Sequence, residues 1–446
     1  MSGSLLELID VDPAALLALH AASPDLYPAL FESAAAGEPL GRFDILFAHP
    51  AGSLVASATS ERFLPALDRW WERERVAVSG ATTPAVPFSG GWLLYLGYEL
   101  AGQIEPRLRL RQGEAGPIAQ AIRIPAAVVH EHGSGRCWIV AEAEAAHLIP
   151  RIAVDLRRVT RLPDSRADLL ESAVAEDDPR LYLHAVERAL EYIGTGDVYQ
   201  ANLSRGWQAT LRQGVQPHQL YRRLRETNPG PFSGLAVLEG VTIISSSPER
   251  LVSVRDGLVT TRPIAGTRPR GADPEADRAL ARELHAHPKE RAEHVMLIDL
   301  ERNDLGRVCE PGSVQVDEFM TIESYAHVHH IVSNVRGRLR ADVTPGNVLA
   351  AVFPGGTITG CPKIRCMEII AELEGAPRGA YTGSLGYLNR DGSMDMNILI
   401  RSLQLDGRAL SLRAGAGIVA DSIGERELEE TRAKARGVLR ALGVEA

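Results

Sequence analysis

The chain has 446 residues, of which 45% are hydrophobic and 24% charged, and its formal net charge is −9. Length allows about three domains and an ample core. The acidity, with no block of Lys and Arg, argues against a nucleic-acid footprint, and the longest apolar run, near Gly91–Gly97, is far too short to cross a bilayer. Cys137, Cys309, Cys361 and Cys366 are irregularly spaced and make no zinc knuckle. Reduced thiols in a cytoplasmic protein are expected, because the N-terminus is apolar but carries acids and no basic region.

In chain order, FDILFAHP (43–50) predicts a buried strand, and Ser60–Val76 a helix with Trp70 and Trp71 partly inward. PFSGGWLLYLGYEL (87–100) predicts a strand whose glycines let another backbone come close. IPAAVVHEH and RCWIVAEAE bracket GSG as a hairpin. Leu162–Asp178 is polar and acidic without an apolar period, and reads as a linker between residues 1–160 and 180–440, two regions expected to form one compact unit.

From Leu181, Val186, Ala189, Leu190 and Ile193 make one helical stripe, ended by Gly194 and Gly196. VYQANLSRGW predicts a strand, and residues 235–271 predict strands with turns at Glu239-Gly240 and Asp256-Gly257. The stretch Lys289–Arg307 predicts a helix opened by Pro288, with Val295, Leu297 and Ile298 as its apolar positions. HVHHIVSNVRGRL (327–339) follows as an alternating strand, and a hairpin turns at Asp391-Gly392. A last helix begins near Glu425.

Several groups carry possible chemistry. Glu290 and Glu293 share one helix face, as do Glu427, Glu430 and Lys434. Two helices each presenting two carboxylates match the oxygen preference of Mg2+, although such pairs are more often solvated faces. PIAGTRPRG, FPGGTITGCPK and RAGAGIVADS read as glycine-rich loops, none in P-loop or dinucleotide-binding form. Arg401 ends the predicted strand NILIR, where it needs either a salt bridge or a substrate anion. His327 and His329 share one strand face with His330 on the other, a pattern suiting core or substrate-contacting histidines better than metal ligands. No Gly-x-Ser-x-Gly or Gly-x-Cys-x-Gly element is present.

SSPERL, RPIAGTRPRG, KERAEHVMLIDLERNDLGR, HVHHIVS, FPGGTITGCPKIRCMEII, YTGSLGYL, MDMNILIR, AGAGIVADS and ETRAKA occur in this order. Together they resemble the chorismate-utilising enzymes over residues 180–440, and residues 1–160 resemble the N-terminal region of the same family. The resemblance implies an α+β fold of two large sheets packed face to face, with helices outside and a cleft between them. It implies Glu293 and Glu430 as Mg2+ ligands, with Glu290 and Glu427 acting through water. Arg401 and Tyr381 would meet the enolpyruvyl carboxylate of chorismate, and backbone N–H groups of Gly415, Ala416 and Gly417 the same end. Gly266, Thr267, Thr357, His330 and Lys434 complete the implied pocket, with Glu249 as the acid that protonates the departing C4 hydroxyl. Gln200 stands where the water-using members carry a lysine, which favours the ammonia-using members.

Among those, FPGGTITGCPK, GRFDILFAHP and the short N-terminal region favour amination at C4, as in aminodeoxychorismate synthase component I. Ala265, where that enzyme type carries a lysine, is the pattern of anthranilate synthase component I, the alternative. A separate glutamine amidotransferase subunit is expected to supply ammonia. A non-catalytic chorismate-binding regulator is disfavoured, since Glu249, Glu293 and Glu430 are all present.

Overall fold

The computed structural model describes residues 4–34, 41–57, 61–77, 86–113, 115–163, 168–271, 273–324 and 328–444, without the side chains of Thr267, Lys289 and Val328. Two antiparallel sheets dominate. The first, of twelve strands, runs Ser4–Ile9, Arg136–Glu142, Ala126–Glu131, Phe43–Ala48, Ala29–Glu32, Phe232–Val237, Thr242–Ser247, Ser402–Asp406, Ala409–Ile418, Gln200–Thr210 and Gly360–Cys361, with Ala175–Glu176 also on Gln200–Thr210. The second, of ten, runs Ile264–Pro269, Val328–Arg338, Leu258–Thr261, Arg250–Arg255, Met394–Asn397, Ser384–Asn389, Gly91–Leu96, Ala119–Ile124 and Gly52–Ala56, with Gln315–Ser324 also on Val328–Arg338.

Alternation along the strands decides the layering. Ile45, Phe47, Ala127 and Val129 of the first sheet share a core with Leu93, Tyr95, Ile122 and Tyr387 of the second. The neighbouring positions Leu46, Ala48, Ala126 and Val128 point the other way, into a core closed by helix residues Leu16, Ile152, Leu220 and Val438. Trp92, Leu94, Val252 and Met394 likewise face Phe63, Leu67, Ile298 and Met367. The result is helix–sheet–sheet–helix, the α+β arrangement expected. No described helix is long and apolar enough to cross a membrane.

Helix starts are chemically marked. Asp178 caps Pro179–Gly194 by accepting from Arg180 N–H at 2.9 Å. His287 accepts from Glu290 N–H at the head of Pro288–Gly306. In that helix Leu297 and Ile298 are buried, but Val295 is exposed and His294 is buried instead, bonded to Ser333 at 2.7 Å.

Four expectations need correction. Leu162–Asp178 is not a free linker: Leu169 and Leu170 are buried, and Ala175–Glu176 pairs with Gln200–Thr210. Its residues 164–167, like Ser60 of the predicted Ser60–Val76 helix and His327, lie outside the described residues. The helix of that region is Phe63–Glu74. Two of the three glycine-rich loops are strands, Ile264–Pro269 and Ala409–Ile418. Arg401 does not end a strand; it sits after Met394–Asn397 in the left-handed region, at φ 51°.

Candidate active site

Glu249 lies between strands Thr242–Ser247 and Arg250–Arg255. Its N–H donates to Ser247 Oγ at 3.2 Å and its carbonyl accepts from Ile398 N–H at 3.0 Å. Arg250 is pinned by two 2.8 Å bonds to Asp395, fixing the start of that strand. The Glu249 carboxyl is buried and accepts from Thr357 Oγ1 at 2.7 Å. Burial pushes it up to about 7, against the opposing pull of that hydrogen bond and of the Lys434 and Arg401 charges.

Around this acid the predicted residues form a chain of neighbours. Arg401 is held by its backbone, its carbonyl accepting from Ser246 N and Oγ at 3.2 Å each. Burial depresses its guanidinium and Glu249 opposes that. His330 is buried, with Nδ1 3.4 Å from the carbonyl oxygen of Gly266, and burial and then Arg401 lower it to about 4. It is therefore neutral at pH 7. Gly266 has φ 65°, and a Cβ there would lie 2.8 Å from Glu290 Oε2. Thr267 is fixed only as the register partner of His330.

On the other side, Lys434 Nζ donates to the Gly415 carbonyl at 3.0 Å and pairs with Glu430 at 2.7 Å. Gly415, Ala416 and Gly417 lie opposite Ser204, Leu203 and Asn202 in the first sheet. A Cβ on Gly415 would come within 2.7 Å of the Tyr381 hydroxyl, and one on Gly417 within 2.9 Å of Gln200 Nε2. Glycine there admits both side chains. The expected backbone N–H donors are thus strand residues, and Gly415 meets Lys434 through its carbonyl.

Among the described residues, no three of the four glutamates form a compact ligand group. Glu290 pairs with Arg268 at 3.2 Å and Glu430 with Lys434. The buried Tyr182 hydroxyl is driven upward by burial and then by the fields of Glu427, Tyr381 and Glu430. Glu293 is half-buried one turn beyond Glu290. The all-oxygen donor set suits a hard cation, which would have to displace Arg268 and Lys434 as partners. The one compact ligand group among the described residues is different: Asp44, His130 and His132.

Sequence reading missed a supporting layer. Glu374 binds Arg378 at 2.6 Å, Arg413 at 3.1 Å and Ser204 N–H at 2.8 Å, and Arg378 lies over the rings of Tyr98 and Tyr381. Glu374 and Arg378 lie just past the end of helix Lys363–Leu373, outside any helical period, so no sequence pattern marks the pair. Glu301, buried beside Asp304, is driven above the usual carboxylate range by burial and then by Asp304. His329 is satisfied structurally, by Ser324 at 2.7 Å and Asp277 at 2.9 Å.

The family of chorismate binding enzymes matches residues 28–440. The chain belongs to that family. It is 42% identical over 369 residues to aminodeoxychorismate synthase component 1 of Bacillus subtilis, covering 80% of this chain and 77% of that one. It is 44% identical over 367 residues to anthranilate synthase component 1 of Thermus thermophilus, covering 80% and 78%. The crystal structure of anthranilate synthase component I from Streptococcus pneumoniae TIGR4 superposes with a TM-score of 0.79 at 33% identity, covering 90% of this chain and 93% of that one. This chorismate-binding enzyme therefore has relatives named for both aminating reactions.

Proposed function

We propose that the protein is the aminodeoxychorismate synthase component I, which adds ammonia to chorismate at C4 and retains the enolpyruvyl group. The observation that supports it most is Glu249, a buried carboxyl held near 7 beside two cations. Hydroxide is a poor leaving group, and an acid still partly protonated at neutral pH can give it the proton it needs. Ammonia forms the new C–N bond, the C4 hydroxyl leaves as water with the Glu249 proton, and the attached ammonium returns a proton to the carboxylate. Gln200, buried at the start of its strand, has no basic nitrogen to activate water.

Arg401 and Tyr381 hold the enolpyruvyl carboxylate in this reading, and neutral His330, Thr357 and the Gly266–Thr267 backbone shape the remaining wall. Gly415, Ala416 and Gly417 line the same end as Arg401, with Lys434 facing Glu249. Mg2+ held by Glu293 and Glu430, with Glu290 and Glu427 through water, would supply counter-charge for the ring carboxylate. A glutamine amidotransferase subunit delivers the ammonia, and the enzyme works in the cytoplasm.

One observation favours a second reading. Ala265 is buried and offers no nucleophile to carry C2, so C4 amination requires ammonia itself to add, twice or by direct displacement. Anthranilate synthase component I needs no such group. Incubation with chorismate, Mg2+ and ammonium salt, followed by mass analysis, separates the two. A product that keeps the enolpyruvyl group and gives 4-aminobenzoate with a lyase supports C4 amination. Fluorescent anthranilate with released pyruvate overturns it.

A further inference from the structure

We propose that Asp44, His130 and His132 form a site for a transition-metal dication of the zinc class, with three protein ligands and a fourth position open to solvent. The site is separate from the four-glutamate region and does not rest on the chorismate reading.

Strand register builds it. Asp44 on Phe43–Ala48 lies directly opposite His130 on Ala126–Glu131, so their side chains share a face. His132 is two residues further, and its N–H donates to the Arg42 carbonyl at 2.9 Å, carrying the ladder one step past Glu131. A His-x-His pair on an extended backbone therefore projects both rings to the side of the cross-strand carboxylate. This is the face of Leu46 and Val128, covered by helices rather than by the second sheet.

The distances suit a small ion. Asp44 Oδ2 lies 3.0 Å from His130 Nδ1 and 2.8 Å from His132 Nε2, and the three ligand atoms are all within 4.8 Å of one another. Tetrahedral bonds of about 2.0–2.1 Å place ligand atoms roughly 3.3 Å apart, a few tenths of an ångström wider than these contacts. The other carboxylate oxygen is already oriented, accepting from Ser33 N–H at 3.1 Å. Asp44 and His130 are buried, whereas the His132 side chain is 34% exposed. That gives a rigid base with one accessible side.

The donors also select the ion. Two imidazoles and one carboxylate favour zinc, cobalt or nickel over Mg2+, which prefers oxygen throughout. Glu32 on the adjoining strand is engaged by Arg225 at 2.8 Å. Cys137 lies opposite His130 on its other flank, but burial pushes its thiol up to about 12. Neither joins the compact group.

The test uses the full-length chain, stripped with chelator and then given Zn2+ or Co2+. One zinc per chain should survive gel filtration, and Co2+ should give the strong visible bands of tetrahedral coordination. His132→Ala, at an exposed position, should fold normally by circular dichroism and lose at least 100-fold in affinity together with those bands. Asp44→Asn should behave similarly, and Glu430→Gln should keep both metal and spectrum. Failure of the parent to retain zinc above trace, or equal retention by His132→Ala, overturns the proposal. The bands disappearing only in Glu430→Gln would also overturn it, by assigning the metal to the glutamates.

Discussion

Glu249→Gln separates the chemistry of the acid from its cost to the fold. Raising the carboxyl from 4.5 to about 7 corresponds to roughly 3 kcal/mol, at about 1.36 kcal/mol per pH unit. The sign follows from which state binds protons. Below pH 4.5 the group is neutral whether folded or unfolded, and the native state suffers nothing. As pH rises, the unfolded glutamic acid ionises first, and stability falls until pH passes about 7, where the full amount has been lost. Glutamine never ionises. Urea unfolding should therefore find the variant close to the parent at pH 4.5 and more stable by up to about 3 kcal/mol at pH 8.5. Thr357 Oγ1 can still donate to the amide oxygen, so the site stays satisfied.

Chorismate turnover should move the opposite way, falling about 100- to 10,000-fold through loss of the general acid. In the parent, turnover should decline as pH rises through about 7. Thr357→Val removes a bond that favours the ionised carboxylate, so this decline should move up by about one to two pH units, since such bonds are worth roughly 1.5–3 kcal/mol. A stability gain that does not widen with pH, or a Glu249→Gln enzyme within tenfold of the parent, would refute the reasoning.

Other expectations follow from the same geometry. Arg401→Met should raise KM for chorismate about 30-fold or more, as for loss of one partner of a buried charge pair, without lowering stability; an unchanged KM removes Arg401 from substrate binding. Glu430→Gln should nearly abolish turnover and weaken its Mg2+ dependence in an EDTA titration, and normal Mg2+ dependence would reject the ligand assignment. Gly415→Ala would place a methyl 2.5 Å from the Leu203 carbonyl and 2.7 Å from the Tyr381 hydroxyl, costing about 1–3 kcal/mol. Gly194→Ala, with nothing within 4 Å, serves as the control in the same urea titration and should not be destabilised.

The sequence by itself determined most local structure and, through its ordered motifs, named the candidate site residues. Continuous apolar runs marked the strands around Phe47 and Trp92, and Pro288 marked the start of the helix carrying Glu290 and Glu293, because these signals depend only on neighbours along the chain. Val295 was misjudged, since which side of a helix faces the core depends on what packs there, and Ser333 selected His294 instead. Glycine-rich segments read as loops became strands because their backbones pair with Val328–Arg338 and Gln200–Thr210, segments distant in sequence.

Tertiary structure alone decided the charges. Glu249 is an ordinary glutamate until burial raises it, and His330 an ordinary histidine until burial and Arg401 keep it neutral. The Asp44–His130 pairing depended on strand register between segments 86 residues apart. Hydrophobic period and capping residues are properties of a segment, whereas desolvation and cross-strand proximity are properties of the packed molecule, and the chemistry of this site rests on the second kind.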